Sequence, residues 1–235
     1  MPEKQKRIAE NVAAVRYRIA EACRRAGRTA DDVELVAVTK YVDAEITRML
    51  PEAGCHDLGE SRPQSMWSKA DALQIDSIRW HMIGHIQRNK LRRTLPLLHC
   101  IHSADSERLL TAMNLEAERI GSRPRVFVEV NVSRDPEKHG FSPTEARQIS
   151  AQLDSWPHLD VCGLMAMSAR TSDASRARSE FAQLRQLRDA MQVDNLLSAR
   201  ITHLSMGMSR DFEVAIEEGA TVVRVGSALF DGAIG

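Results

Sequence analysis

The chain has 235 residues, 43% hydrophobic and 27% charged, with 32 lysines and arginines balanced by 32 aspartates and glutamates. That composition suffices for a full core and excludes a disordered chain, and a formal net charge of zero removes any global attraction to nucleic acid or to an anionic membrane. Four scattered cysteines without a C-x-x-C pair fit reduced thiols, and neither a signal peptide nor a bilayer-spanning stretch is present, so a soluble, cytoplasmic protein is expected.

In chain order, an amphipathic helix over about residues 3–26 comes first and is expected to cover the bottom of the fold that follows. Eight short apolar, β-branched runs then recur: 33–39, 55–59, 78–84, 98–104, 125–132, 160–167, 201–207 and 221–226. Helical segments with capping residues lie between them, opening at Asp43, Arg62, Asp105-Ser106, Ser142 and Ser209, with another around 175–192. This alternation predicts parallel strands with crossover helices in one α/β domain over 1–235, a (β/α)8 TIM barrel. An open doubly wound sheet is the alternative; against it, no G-x-G-x-x-G turn follows the first run. The polar loops 133–143 and 168–177 would follow barrel strands and lie on the face where barrel active sites form.

Lys40 ends the first run, which places its amine at the C-terminal rim. Desolvation there would make it a usable Schiff-base nucleophile, although a lysine closing a strand can also simply reach water. After the seventh run comes Ser205-Met206-Gly207-Met208-Ser209, with Ser209 expected to cap the next helix; after the eighth comes Gly226-Ser227. Turns after strands 7 and 8 that end at helix N-termini form the phosphate cradle common in such barrels. Arg224, within a run of valines, needs a partner if it points inward: a ring nitrogen of a ligand, or a carboxylate such as Glu129. His81 and His85 are four apart but straddle a strand end, without a carboxylate at zinc-ligand spacing, and no metal is expected. Met165, Met167, Met206 and Met208 read as packing, and residues 87–90 as a solvated segment.

The stretches VAVTK, HDLGES, IRWHMIGHIQRNK, VFVEVNVSRDPEKHGF, CGLMAM and LSMGMSRDFEVAIEEGATVVRVGSALF together resemble the pyridoxal phosphate homeostasis protein family, over about residues 5 to 230. The resemblance implies a barrel like the N-terminal domain of alanine racemase, with pyridoxal 5′-phosphate on Lys40. It also implies Arg224 beside the pyridine nitrogen, and Ser209, Gly226 and Ser227 with the nearby backbone of Met206 and Gly207 around the phosphate. The sequence departs from the family pattern in places. G-E-N-Y reads Gly59-Glu60-Ser61-Arg62, a lysine often found two residues beyond Lys40 is Val42, and S-K-S-G reads Glu137-Lys138-His139-Gly140, keeping a lysine proposed to serve cofactor transfer or control.

Arginine retains its proton, so Arg224 can only donate to the pyridine nitrogen, which weakens the ring as an electron sink. Racemases of the related fold also use a tyrosine from a second domain, whereas here Tyr17 lies in the first helix and Tyr41 follows Lys40. The expected role is therefore a cofactor carrier and buffer, monomeric, serving pyridoxal phosphate-dependent apoenzymes. A weak racemase or lyase is the main alternative, and a phosphosugar barrel with a substrate-binding Lys40 is another.

Overall fold

Each of the eight apolar runs becomes a strand, trimmed at its ends where the chain turns to meet a helix. In the computed structural model they are β1 Glu34–Val38, β2 Asp57–Glu60, β3 Arg79–Met82, β4 Leu98–Ala104, β5 Arg125–Glu129, β6 Asp160–Met165, β7 His203–Ser205 and β8 Val222–Val225. The structure describes all residues except 1, 2, 134, 136–138, 169–173, 195–199 and 235, and the side chains of 174 and 194 are likewise left aside. Lys138 and much of the two polar loops therefore lie outside the described residues.

The strands pair in parallel and in sequence order, and β8 returns to β1 through Glu34↔Val222 to Ala37↔Val225. The sheet thus closes into a barrel, which rules out the open sheet. The seventh seam is narrow, with the Ser205↔Val222 pair joining β7 to β8.

The helices are α1 Glu3–Arg25, α2 Ala44–Glu52, α3 Pro63–Leu73, the single turn α4 Leu91–Thr94, α5 Glu107–Ile120, α6 Pro143–Ser150, α7 Ala174–Asp194 and α8 Phe212–Glu217. Their starts are encoded locally. Asp43 accepts from the Ile46 N–H, Ser106 from that of Leu109, and Ser142 and Glu145 form a reciprocal capping box ahead of Pro143. Ser209 departs from expectation. Asp211 takes the N-cap position of α8, while the Ser209 hydroxyl turns toward the eighth strand's turn instead.

A second difference concerns α1. It does not lie under the barrel: its buried stripe of Ile8, Val12, Val15, Ile19 and Cys23 packs against α8, α2 and the 3-10 turn Ser227–Leu229. Among the described residues that short turn follows β8, and α1, set between α8 and α2, takes the seat in the outer ring of a helix after β8. Its amphipathic period shows that it packs, but not against which neighbour. Asn11 secures the seat by donating to the carbonyls of Leu229 and Asp231.

Strand side chains alternate. Ala37, Leu58, Trp80, Ile101, Val126, Leu164, Leu204 and Val223 face the helices in the main core, whereas Val36, Cys100, Phe127, Cys162, Met165 and Val222 form a separate small cluster inside the barrel. The rest of the interior is strongly polar: Asp57, His81, His102, Ser205, Glu129 and Arg224 are all buried.

Candidate functional site

The site is assembled at the C-terminal ends of the strands. Arg224, in the middle of β8, points inward and is 3% exposed. Its Nη1 donates to Ser205 Oγ at 2.6 Å and its Nη2 to the Ala166 carbonyl at 3.0 Å. Burial pulls it down to about 10, against the opposing charges of Glu129 and Asp211, so it stays protonated at neutral pH. Among the described residues it makes no ion pair with Glu129; a hydroxyl and a carbonyl serve as its partners instead.

The turns after β7 and β8, predicted from separate motifs, are fastened to each other: the Gly226 N–H donates to Ser209 Oγ at 3.0 Å. Asp211 holds the first turn from beneath, accepting from the Met208 N–H at 2.6 Å and from Ser168 Oγ at 2.6 Å. Gly207 sits at φ +92°, and a Cβ there would fall 2.6 Å from Ala215 Cβ and 2.9 Å from Phe212 Cα, so the turn can lie this close to α8 only with glycine. The Gly207 carbonyl accepts from the Arg224 N–H, linking the turn to β8. Met206 is fully buried, whereas Ser227 is exposed and opens its 3-10 turn, whose first N–H groups have no acceptor within the helix. Ser209, Gly226, Ser227, Met206 and Gly207 thus come together at one corner of the mouth.

Lys40 lies two residues beyond the end of β1 in a tight turn and is exposed, its ammonium 5.0 Å from the ring centroid of Tyr41. The burial on which its expected desolvation rested is absent here. Its backbone is nonetheless firmly held. Lys69 of α3, 7% exposed, donates to the Thr39 carbonyl at 2.7 Å and pairs with buried Glu60, which also accepts from Thr39 Oγ1 at 2.8 Å. Sequence reading missed this clamp; a lysine at a buried position of α3 was its signal.

His81 and His85 part company. His81 points into the barrel, where its Nε2 meets Asp57 Oδ1 at 3.1 Å, whereas His85 at the rim bonds Asp105 at 2.7 Å and stacks on His139 at 5.3 Å. His81, His102 and Cys100 place ligand-type atoms within 4.8 Å of one another, but all four imidazole nitrogens are taken by hydrogen bonds. Near the rim pair, burial and the charge of Asp105 push the Glu129 carboxyl up to about 7, with Arg224 and His85 opposing.

The geometry matches known proteins. The alanine racemase N-terminal domain family matches residues 11–233. The pyridoxal phosphate homeostasis protein of Pseudomonas aeruginosa is 39% identical over 95% of this chain and 94% of its own length, and that of Aquifex aeolicus is 36% identical over 94% and 96%. This chain belongs to the pyridoxal phosphate homeostasis protein family. Its fold superposes on PipY of Synechococcus elongatus, solved with PLP bound, with a TM-score of 0.84 and 32% identity, covering 95% of this chain and 99% of that one. This member of the pyridoxal phosphate homeostasis family has a closed barrel, a fastened pair of turns and a buried arginine.

Proposed function

We propose that this chain binds pyridoxal 5′-phosphate at the C-terminal mouth of its barrel and serves in the cell as a carrier and buffer of that cofactor, without strong catalysis of its own. The observation that carries this reading is the joining of the β7 and β8 turns through Ser209 and Gly226 above a buried, protonated Arg224, in a chain aligned end to end with pyridoxal phosphate homeostasis proteins.

The residues suit the group. Ser209, Gly226, Ser227 and the backbone of Met206 and Gly207 would hold the phosphate at two helix openings. Arg224, which donates only, suits an unprotonated ring nitrogen. Lys40, on its clamped turn, would supply the amine that holds the cofactor's aldehyde carbon. Once bound, the cofactor offers an electrophilic carbon to amines. A ring nitrogen faced by a charged donor is a poor electron sink, so this chain's own residues favour holding over carbanion chemistry.

Three expectations belong to the same reading. The protein is a single barrel domain over 1–235, works as a cytoplasmic monomer, and hands cofactor to pyridoxal phosphate-dependent apoenzymes. The zero net charge, the four free buried cysteines and the lack, among the described residues, of a helix long and apolar enough to cross a membrane are compatible with this.

The test is the visible spectrum of the purified protein before and after borohydride, with mapping of the modified peptide. A visible band that borohydride removes, leaving the cofactor mass on the Lys40 peptide, supports the reading. A colourless protein that cannot be reconstituted overturns it and favours a phosphosugar-binding barrel.

A further inference from the structure

An unbroken line of hydrogen bonds runs through the barrel interior from its N-terminal rim to Arg224. Asp57, at the start of β2, accepts from His81 Nε2 at 3.1 Å. His81 Nδ1 meets His102 Nε2 at 3.0 Å, His102 Nδ1 meets Ser205 Oγ at 2.7 Å, and Ser205 Oγ accepts from Arg224 Nη1 at 2.6 Å. His81, His102 and Ser205 are wholly buried, and the His102 ring lies flat on Phe127, with 4.8 Å between centroids and 15° between planes.

The two ends fix every proton between them. A guanidinium only donates, so Ser205 accepts from Arg224 and has its own O–H free for His102 Nδ1. The His102 proton then sits on Nε2 and donates to His81 Nδ1, and the His81 proton sits on Nε2 and donates to Asp57. Asp57 must be ionised to end the line. Burial pushes its carboxyl up, but hydrogen bonds from His81 and Arg79 and the charge of Arg79 outweigh this and hold it well below the usual range. For neutral imidazoles the reverse polarity would set a bare ring nitrogen against that carboxylate. His102 has no tendency to charge, since burial, reinforced by the charge of Arg224, pushes it well below its usual range. Glu34, 3.6 Å from His81 Nε2, and the His99 ring, 5.5 Å from that of His81, are the other titratable neighbours of the line.

We propose that Ser205, His102, His81 and Asp57 are positioning residues for the cofactor, a relay that fixes the orientation of the Arg224 guanidinium. This rests on the reading that Arg224 faces the pyridine nitrogen. Asp57 itself is paired with Arg79, so the relay gives Arg224 an oriented hydroxyl acceptor rather than a counter-ion, in a barrel core where an unsatisfied donor is costly. The strand registers align the relay, since His81 lies opposite Gly59 of β2 and Cys100 of β4, and Ser205 opposite Val222 of β8.

Two measurements test it. Nitrogen-15 histidine NMR of the protein without added cofactor is expected to show both His81 and His102 as neutral Nε2–H tautomers with hydrogen-bonded Nδ1 atoms. Equilibrium binding of pyridoxal phosphate is expected to weaken about tenfold in Ser205→Ala, with a shifted absorption maximum, and to recover in Ser205→Thr, which keeps the hydroxyl. In an Arg224→Ala background the same Ser205→Ala change is expected to have little further effect, because the two groups act as one unit. Normal cofactor uptake with Nδ1–H or doubly protonated imidazoles, or with additive losses in the double variant, overturns this inference alone. An unaltered protein that takes up no cofactor overturns the functional reading, and this inference with it, whatever the imidazoles show.

Discussion

The two sides of the barrel mouth are built on opposite principles. On the β7–β8 side, charge is fixed and geometry is closed: Arg224 donates to Ser205 and Ala166, and Ser209, Asp211 and Gly226 tie two turns into one corner. On the β3–β5 side, charge is adjustable and geometry is open. His85 is exposed beside Asp105, Glu129 titrates near 7, and a cavity of about 370 Å³ opens between Asp105, Gly140, Phe141 and Glu145. The contrast suits the proposed carrier role, since one wall sets position and the other can change its charge within the physiological range.

The sharpest way to break this contrast lies at the proposed covalent anchor. Lys40→Ala is expected to abolish borohydride-trapped cofactor altogether while the melting temperature of the cofactor-free protein stays near the parent's, checked by intact mass and calorimetry. Next comes the fixed wall: Arg224→Ala is expected to weaken cofactor binding about 100-fold, the loss of charge-assisted hydrogen bonds, in a titration followed by absorbance. An unchanged affinity and spectrum would show that the wall does not read the ring. Closing the glycine turn is a purely structural blow. Gly207→Ala forces a side chain into a positive φ and onto α8, and it is expected to cost about 3 kcal/mol of stability by denaturant unfolding.

The smallest effect belongs to the adjustable wall. The Glu129 carboxyl, raised in the fold to about 7 from its usual 4.5, is favoured by folding in its protonated form. Its contribution is complete below pH 4.5 and is lost as pH rises through 7. Between pH 5 and 8 the parent is expected to lose roughly 2 kcal/mol that a Glu129→Gln variant retains. Parallel denaturation curves for the two proteins across that range would place the titration elsewhere.

Much of this was legible in the sequence because it rests on local rules. Eight β-branched runs separated by capped helices dictate the barrel, and the Ser142-x-x-Glu145 box fixes the start of α6 to the residue. The corner proposed to hold the phosphate was legible as two separate glycine-bearing turns, Gly207 and Gly226. What joined them was not, since Ser209 had been read as a helix cap and its hydroxyl reaches across to Gly226 instead. The interior relay was hidden for a different reason. His81, His102 and Ser205 sit in short strands among apolar residues, and only the cross-strand register shows that they share the barrel's inner face. The exposure of Lys40 was also beyond reach, because a strand end does not reveal whether the next side chain turns in or out.

The seating of α1 carries a consequence for how the molecule is made. The stripe of Ile8, Val12, Val15 and Ile19 is synthesised long before α8 and the turn after β8, two of the surfaces that cover it. Until they emerge, only α2 and the turn at Ala30–Asp32 can shelter this greasy face, the kind of surface that chaperones recognise and that drives premature association. A nascent chain that stops short of β8 is left without both that strand and much of the first helix's berth.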